Sequence, residues 1–477
     1  MPTGRITRHR PSARLAGRRT LPTQNRDCRP FRAEVNSWPI FPMRNVSIFG
    51  SEFTSMAFHL NRIRNSLQRV TSSGRFIPAV DGLRCIAVLW VVIFHMNIYV
   101  LAKSTAYDAE SAAGSYARKI AECGHYGVQL FFVISGLVLG LPFAEHSLKG
   151  RGKVSLRSYF SRRVLRIEPP YIINLLILFA LLLVVKSESI ATQAPHLGAS
   201  LGYLHNVVYR DSSWINRAAW SLEVEVQFYL LAPLLATVFA IRRPTLRRMV
   251  ILGAIALLGV LKSAPHDFRL HVPITVLSFL DFFLAGFFMA DLYTTTWNSR
   301  PVQKLFWDLP ALLAWCAVIG AHFFAPAEPF LAFVILAACA ASFRGRWVHR
   351  VLSTGWVPTI GGMCYTIYLY HYHIISAVGR LTIGIPAGSS YTGNLLLQTL
   401  LNLPPILAGS AVLYLLFEKP FMVRDWPSRW KAAVSSALRL KTQTAPEIAA
   451  TGSLGTIARI EAAGEPAPDV KPAKRAA

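Results

Sequence analysis

The chain has 477 residues, of which 53% are hydrophobic and only 16% are charged. Soluble globular domains carry roughly 25% charged residues, so this composition excludes an ordinary soluble enzyme and favours a membrane protein. The net charge of +26 would suit a nucleic-acid-binding protein, but the positive residues lie in the termini and in alternate loops, which predicts membrane topology instead. We therefore expect a lipid bilayer, and no nucleic acid, as the partner.

The N-terminal residues 1–75 are rich in arginine, poor in acidic residues and without the apolar core of a secretory signal peptide. We expect this extension to be disordered. An organellar transit peptide is one alternative, but a true start at Met43 or Met56 is favoured over it. At the other end we predict a flexible cytoplasmic tail at 426–477, because residues 440–477 are rich in Ala, Pro, Lys and Glu and lack periodicity.

The intervening residues 76–425 contain about ten mostly apolar runs, and a helix needs ~20 such residues to cross a bilayer. The pattern predicts an all-α, polytopic membrane protein with about ten transmembrane helices. The predicted spans are 84–101, 126–144, 170–186, 219–240, 249–262, 272–292, 309–325, 328–343, 359–379 and 394–417.

The charges of the loops predict the orientation, because cytoplasmic loops keep the excess of Lys and Arg. Loop 145–169 contains seven Lys and Arg residues, whereas loop 102–125 contains three, balanced by three acidic residues. Every second loop after 145–169 is again basic. We therefore expect both termini in the cytoplasm and the protein in the cell inner (plasma) membrane.

The six cysteines occur singly, without a CxxC motif or a Cys/His pair at metal-ligand spacing. The sequence therefore predicts neither a disulfide framework nor a metal site. The cysteines are Cys28, Cys85, Cys123, Cys316, Cys339 and Cys364.

The first predicted span contains two ionisable residues, Arg84 and His95, which are expensive to place in lipid. Eleven residues of helix separate them by ~16 Å and return to nearly the same face. Arg84 then lies near the inner surface and His95 about halfway across the bilayer. A neutral histidine bonded to a neighbouring helix is the simpler interpretation of a lone His. Its alignment with Arg84 favours a functional site.

The second span and the loop after it contain further candidates. Ser135 precedes Gly136, and this small pair is more typical of close helix packing than of a nucleophile. Arg163 and Arg166 are spaced to share one helical face, and arginine forks bind phosphates and carboxylates. Ordinary positive-inside charge or contact with anionic lipid is the competing interpretation.

Later spans contain acidic and histidine candidates. Trp220 suits an interfacial aromatic belt, and Glu225 follows it at the start of the fourth span, where a helix N-terminus also favours negative charge. Asp281, in the middle of the sixth span, needs a partner or a cavity. In the ninth span His371 and His373 are two residues apart and face nearly opposite sides of a helix, and we favour His371 as the site residue.

Together these residues resemble the acyltransferase-3 family of integral membrane O-acyltransferases, which modify cell-surface glycans and some antibiotics and lipids. The similarity extends over roughly residues 75–420. Some members append an extracellular hydrolase-like domain, and this chain is similar to the stand-alone form. The shared marks are Asp81-Gly82-Leu83 before Arg84-x10-His95, Gly127-Val128 to Phe131-Phe132 to Ser135-Gly136, Arg163-x-x-Arg166 before Pro169, Trp220-Ser221-Leu222 with Glu225, Tyr368-Leu369-Tyr370-His371, and Glu418-Lys419-Pro420.

The resemblance implies an acyl donor from the cytoplasm, commonly acetyl-CoA bound as a substrate rather than a permanent cofactor. The acceptor would be a hydroxyl of a glycan or lipid-linked sugar reached from the outer side. Arg163 and Arg166 would meet the phosphates of coenzyme A, and Arg84 would hold the donor's arm. His95 would act as general base on the acceptor or as a transient acyl carrier.

The expected catalytic residues are therefore His95, Arg84 and Glu225, with Glu225 on the acceptor side. The expected donor-binding residues are Arg163, Arg166 and Arg84. The remaining candidates for the lining of the site are His371, Asp281, Trp220 and Ser135, the last most simply a packing residue.

Two other functions remain compatible with polar residues inside the spans. A proton-coupled transporter uses His, Asp and Glu as relays, but it is expected to show inverted repeats and broken helices, which are not evident in the sequence. A non-catalytic scaffold for glycan assembly is the second alternative. Replacement of His95 by Ala distinguishes an enzyme from a scaffold, because only an enzyme would lose surface acylation while it still folds.

Overall fold

The computed structural model describes residues 58–70, 76–107, 109–263, 274–423 and 426–443. The chain divides into two units, Met1–His59 and Leu60–Ala477, and the helices below belong to the second. Most of the predicted disordered extension 1–75 lies outside the described residues, as does the predicted flexible tail beyond residue 443. Both therefore stay predictions, although residues 60–67 and Trp426–Gln443 are helical.

The regular elements in the described ranges are helices, apart from one isolated bridge between Lys304 and Gly345. The helices that overlap the predicted spans are α1 (Pro78–Lys103), α2 (Tyr126–Lys149), α3 (Leu156–Lys186), α4 (Trp220–Leu235), α5 (Pro244–Ser263), α6 (Leu280–Asp291), α7 (Asp308–Phe323), α8 (Leu331–Arg344), α9 (Cys364–Thr382) and α10 (Tyr391–Leu413). Further helices connect them at Ala109–Ala113, Tyr116–Glu122, Ile190–Leu201, His205–Tyr209, Arg346–Ser353 and Trp356–Gly362.

Nine helical stretches of the described chain are long and apolar enough to cross a membrane, and each overlaps one predicted span. The remaining prediction, 359–379, corresponds to Trp356–Gly362 and α9, which meet at Met363. Helix α9 packs against α1, α3 and α10 and buries polar side chains, so its sequence is less apolar than that of a lipid-facing span. The prediction of an all-α, polytopic membrane protein is confirmed.

The predicted loop 145–169 is shorter in the structure, because α2 continues to Lys149 and α3 already begins at Leu156. Helix α3 passes through Pro169, which cannot donate a backbone hydrogen bond to the carbonyl of Leu165. Trp426 replaces that donor, since its indole Nε1–H bonds to the Leu165 carbonyl at 3.1 Å. A side chain that satisfies the freed carbonyl lets the helix tolerate proline. The arginines of this segment therefore stand on a continuous helix.

Glycine residues allow two close contacts between backbones. A Cβ on Gly136 of α2 would overlap the Phe283 carbonyl of α6, and one on Gly286 would overlap α2 in return. Small residues permit such approaches between membrane helices. In the same way Gly361 lies against the backbone carbonyl of Asp81 at the start of α1. These contacts fix α1 and α2 at the depth where the candidate site residues occur.

A buried ion cluster connects α5 to the end of α6. Asp291 is 0% exposed and accepts hydrogen bonds from Arg247 Nε at 2.6 Å and Arg248 Nε at 2.7 Å. Replacing Asp291 with Asn leaves the buried Arg247 charge uncompensated, and loss of one partner of a buried pair costs about 3–5 kcal/mol. We expect the purified D291N protein to unfold at a markedly lower temperature in detergent.

The matched control is Arg248→Gln, since the Arg248 side chain is 29% exposed and its charge is partly screened by solvent. This variant should shift the unfolding temperature much less than D291N does. Equal unfolding temperatures for D291N and the wild type would show that the cluster does not stabilise the fold.

Candidate active site

Two histidines from different helices meet inside the bundle. His371 Nε2 of α9 lies 3.1 Å from His95 Nδ1 of α1, and the ring centroids are 4.8 Å apart. His371 is 0% exposed, whereas His95 is partly buried and also packs against the Tyr372 ring. His95 therefore faces a neighbouring helix. His373, two residues beyond His371, lies against the backbone of Ile215 instead.

Backbone carbonyls determine which ring nitrogens carry a proton. His371 Nδ1 lies 2.8 Å from the carbonyl of Tyr368, and because a carbonyl only accepts, this nitrogen is the donor. In a neutral ring His371 Nε2 is then an acceptor. His95 Nδ1 faces that acceptor and the Val91 carbonyl at 2.9 Å, so it also carries its proton. The lone pair of His95 is left on Nε2, which is the state that a general base needs.

Arg84 lies eleven residues before His95 on α1, and a carboxylate holds its guanidinium group. Asp81 is buried and accepts hydrogen bonds from Arg84 Nη1 at 2.5 Å and from Arg69 Nη1 at 2.9 Å. Arg84 also lies within electrostatic range of Glu225. Asp81 therefore orients two guanidinium groups at the N-terminal end of α1.

Glu225 of α4 lies near Arg84 and is bonded to a serine of α2. Ser135 Oγ donates a hydrogen bond to Glu225 Oε1 at 2.5 Å, so Ser135 contacts a site residue as well as lying beside the packing glycine. Glu225 lies within electrostatic range of Arg84 and Arg163, and its expected place on the acceptor side stays a prediction. It is five residues beyond Trp220 along α4, which places it ~7.5 Å deeper along the helix axis.

Arg163 and Arg166 lie near the N-terminal end of α3. The Arg163 guanidinium lies 3.6 Å above the Tyr159 ring and donates to the Tyr159 carbonyl at 2.6 Å. Arg166 lies within electrostatic range of Glu418 and Arg69. Arg163 and Arg84 therefore share Glu225 as an electrostatic neighbour, and both Arg166 and Arg84 lie within range of Arg69.

Glu418 is a further buried acid in this interior. Its Oε2 accepts hydrogen bonds from the backbone N–H of Thr366 at 3.1 Å and from Thr366 Oγ1 at 2.5 Å. Its Oε1 has no hydrogen-bond partner among the described residues. Glu418 ends the π-helical turn Tyr414–Glu418, and such widened turns are frequent at functional sites.

Two predicted lining residues lie elsewhere. Asp281 pairs with Lys262 Nζ at 2.5 Å, which supplies the partner that its burial requires. Trp220 packs against Phe279, and its carbonyl accepts a hydrogen bond from Asn206 in the connecting segment. Among the described residues no hydrogen bond or ring contact joins either residue to His95 or His371.

Sequence reasoning missed three residues of the site. Asp81 and Glu418 stand in recognised motifs, but the sequence assigned them no role. Arg69 lies in the arginine-rich extension, where its signal could not be separated from that of its basic neighbours. The sequence signal that could have found them is an acidic residue in or beside an apolar segment, since a buried acid requires a positive partner nearby.

Comparisons with known proteins match most of the membrane region of the chain. A family model described as an acyltransferase domain matches residues 77–417. The chain is 25% identical over 340 residues to peptidoglycan O-acetyltransferase OatA of Listeria monocytogenes, covering 64% of this chain and 50% of that protein. It is 31% identical over 175 residues to O-acetyltransferase OatA of Staphylococcus aureus (strain NCTC 8325 / PS 47), covering 35% of this chain and 25% of that protein. The chain spans about half the length of the curated relatives it matches along most of its membrane region. No solved structure matches it.

Proposed function

This chain belongs to the acyltransferase-3 family, and we propose that it transfers an acyl group, commonly acetyl, from acyl-CoA to a hydroxyl of a cell-surface glycan. The single observation that carries the chemistry is the contact between His95 and His371, which leaves His95 with a proton-accepting nitrogen inside the bundle. The name of the Listeria relative, a peptidoglycan O-acetyltransferase, supports a glycan as the class of acceptor.

The proposal places the protein across the inner membrane with both termini in the cytoplasm, as the loop charges predict. Acyl-CoA then approaches from the side of Arg163 and Arg166, whose forks suit its phosphates. Arg84, which is held by Asp81 and precedes His95 on α1, then binds the arm of the donor as the thioester moves toward His95. The acceptor hydroxyl arrives from the outer side.

The transfer itself needs one base. His95 Nε2 takes the proton of the acceptor hydroxyl while the hydroxyl oxygen attacks the carbonyl carbon of the thioester. The C–S bond breaks, the coenzyme A thiolate leaves, and it takes the proton back from the His95 imidazolium, so an ester and a free thiol result. His371 Nε2 accepts the His95 Nδ1–H bond throughout and stabilises the positive ring. Because donor and acceptor approach from opposite faces, both can be present together and no acyl carrier is needed.

Proteoliposomes containing the full chain test this function directly. Labelled acetyl-CoA is supplied on one side and a peptidoglycan-derived glycan on the other, and we expect label to appear in the glycan as an ester. In cells, mass analysis of the surface glycans should show loss of acetyl groups when the gene is deleted. If proteoliposomes transferred no more label than empty liposomes and the surface glycans were unchanged by the deletion, the result would contradict an acyltransferase and favour a scaffold.

Arg163→Ala should weaken donor use more than folding. A charge-assisted hydrogen bond contributes about 1.5–3 kcal/mol, so we expect KM for acetyl-CoA to rise by roughly 10- to 100-fold. The matched control is Arg242→Ala, an exposed arginine of another predicted cytoplasmic loop, which should leave KM unchanged. A folded R163A protein with the KM of the wild type would exclude Arg163 from donor binding.

A further inference from the structure

Two of the basic loops that the charge pattern assigns to the cytoplasm meet at one surface. The backbone N–H of Lys304, before α7, donates a hydrogen bond to the carbonyl of Arg344, at the end of α8, at 2.8 Å. The Asp308 carboxylate, at the start of α7, accepts a hydrogen bond from the backbone N–H of Trp347 at 2.9 Å. These bonds fix the helix Arg346–Ser353 beside the N-terminal end of α7. We call residues 300–308 and 344–353 the loop junction.

The helix of the loop junction presents three different strips of side chains. Residues four apart share a face, and successive residues are turned by ~100°. Leu352 is buried against the protein, whereas the neighbouring strip of Trp347 and Val351 is more than half exposed. Arg346 and Arg350 form the third strip and are exposed. The exposed apolar strip therefore lies between the protein and the arginines, which is the order that a helix lying in the surface of a bilayer requires.

The exposed apolar strip continues onto α7. Phe306, just before this helix, is 76% exposed, and Leu309, Leu312 and Leu313 are each about 60% exposed. These leucines are three or four residues apart, so they form one ridge along the helix. Helix α7 is apolar enough to cross a membrane, and its exposed ridge therefore contacts acyl chains. Trp347, at the end of the ridge, suits the level of the lipid headgroups.

The charge of the loop junction favours one class of headgroup. The junction contains five Lys and Arg residues and one acidic residue, Asp308, whose carboxylate is bonded to backbone N–H groups. The Arg350 guanidinium lies 5.7 Å from the centroid of the Trp347 ring, which keeps it beside the exposed apolar strip. Guanidinium groups bind phosphates in bidentate fashion, and basic clusters beside a membrane helix attract anionic lipids.

The buried strip of the same helix connects this surface to the start of α1. A Cβ on Gly82 would overlap the backbone carbonyl of Leu352, so the helix packs directly against the first turns of α1. Asp81 precedes this glycine and orients the guanidinium of Arg84. A ligand that holds the helix of the loop junction in place therefore also supports the turn that carries Asp81.

We propose that the loop junction binds an anionic phospholipid, with Arg346 and Arg350 at its phosphate and the leucine ridge of α7 along its chains. The bound lipid stabilises the helix of the junction and, through it, the start of α1. The inference does not depend on which donor or acceptor the protein uses. The position of the apolar ridge on a membrane-crossing helix favours lipid over a second copy of this chain, which the experiment also detects.

Native mass spectrometry of the purified full chain in neutral detergent tests the site, with dioleoylphosphatidylglycerol as the probe and dioleoylphosphatidylcholine as the neutral comparison. We expect the wild type to bind the anionic lipid more tightly, and Arg346→Gln/Arg350→Gln to bind it at least about ten-fold more weakly than the wild type. The matched control, Arg242→Gln/Arg243→Gln, removes two exposed arginines of another predicted cytoplasmic loop and should bind as the wild type does.

Three results of this measurement would overturn the proposal. The first is equal binding of the two lipids by the wild type, which needs no variant. The second is equal binding of phosphatidylglycerol by R346Q/R350Q and the wild type. The third is a dimer of the wild type that R346Q/R350Q lacks, because it would assign the surface to a second copy of the chain.

Thermal unfolding in nanodiscs tests whether the bound lipid stabilises the protein. A ligand that binds the folded state raises the unfolding temperature. Adding phosphatidylglycerol to phosphatidylcholine nanodiscs should raise the unfolding temperature of the wild type and of the R242Q/R243Q control. R346Q/R350Q should gain much less, and slower amide hydrogen exchange at 346–353 should accompany the gain in the wild type. Equal gains in all three proteins would mean that the lipid acts elsewhere.

Discussion

Replacement of His95 with alanine should abolish acyl transfer while the protein remains folded. The variant loses the only ring nitrogen that the hydrogen-bond pattern of the histidine pair leaves free to take the acceptor proton. General base catalysis contributes typically about 10²- to 10⁴-fold, so we expect kcat to fall by at least about 100-fold. The measurement is the transfer of labelled acetyl groups in proteoliposomes, with thermal unfolding of the same preparation as the test of folding.

His373→Ala is the matched control for this variant. It removes an imidazole two residues from His371 on the same helix, but one that lies against Ile215 rather than His95. We expect its activity to stay within a few fold of the wild type, roughly the effect of a change in packing alone. If H95A and H373A lost activity equally, or if H95A kept more than a tenth of it, the base would have to be another group.

Much of the fold could be predicted because the bilayer allows few solutions. Backbone N–H and C=O groups in lipid must form their hydrogen bonds within a helix. Each apolar run of sufficient length therefore predicts a helix. The exception is the predicted span 359–379. In the structure it corresponds mainly to α9, a buried and more polar helix that follows a break at Met363. The predicted span 170–186 covers only the C-terminal part of α3, which begins at Leu156 and continues through Pro169 and Pro170. A tryptophan 261 residues from Leu165 satisfies the carbonyl that proline frees, and no local pattern reveals that contact.

The site could be predicted only along single helices. The helical period correctly aligned Arg84 with His95 and separated His371 from His373, because these relations depend on spacing alone. Contacts between helices, such as Ser135 with Glu225, depend on packing angles and depths that one sequence does not specify. For the same reason the partner of Asp281 emerged only from the structure.

His371 should be required for rate but not for donor binding. Leucine at this position fills similar space but cannot accept the His95 Nδ1–H bond, so the ring loses one of the two acceptors that orient it and the side chain that stabilises its positive form. We expect H371L to lower kcat by about 100-fold with KM for acetyl-CoA unchanged, the pattern of an interaction made in the transition state.

His371→Gln distinguishes a positioning role from simple packing. A glutamine amide can accept from His95 with its oxygen while its NH₂ group donates to the Tyr368 carbonyl, which reproduces both bonds of the imidazole. H371Q should therefore recover at least ten-fold of the kcat that H371L loses, although both variants are expected to unfold at similar temperatures. Similar kcat values for H371Q and H371L would mean that His371 only fills space. In that case His95 would have to be oriented by the Val91 carbonyl alone, because that is the other acceptor that its Nδ1 contacts.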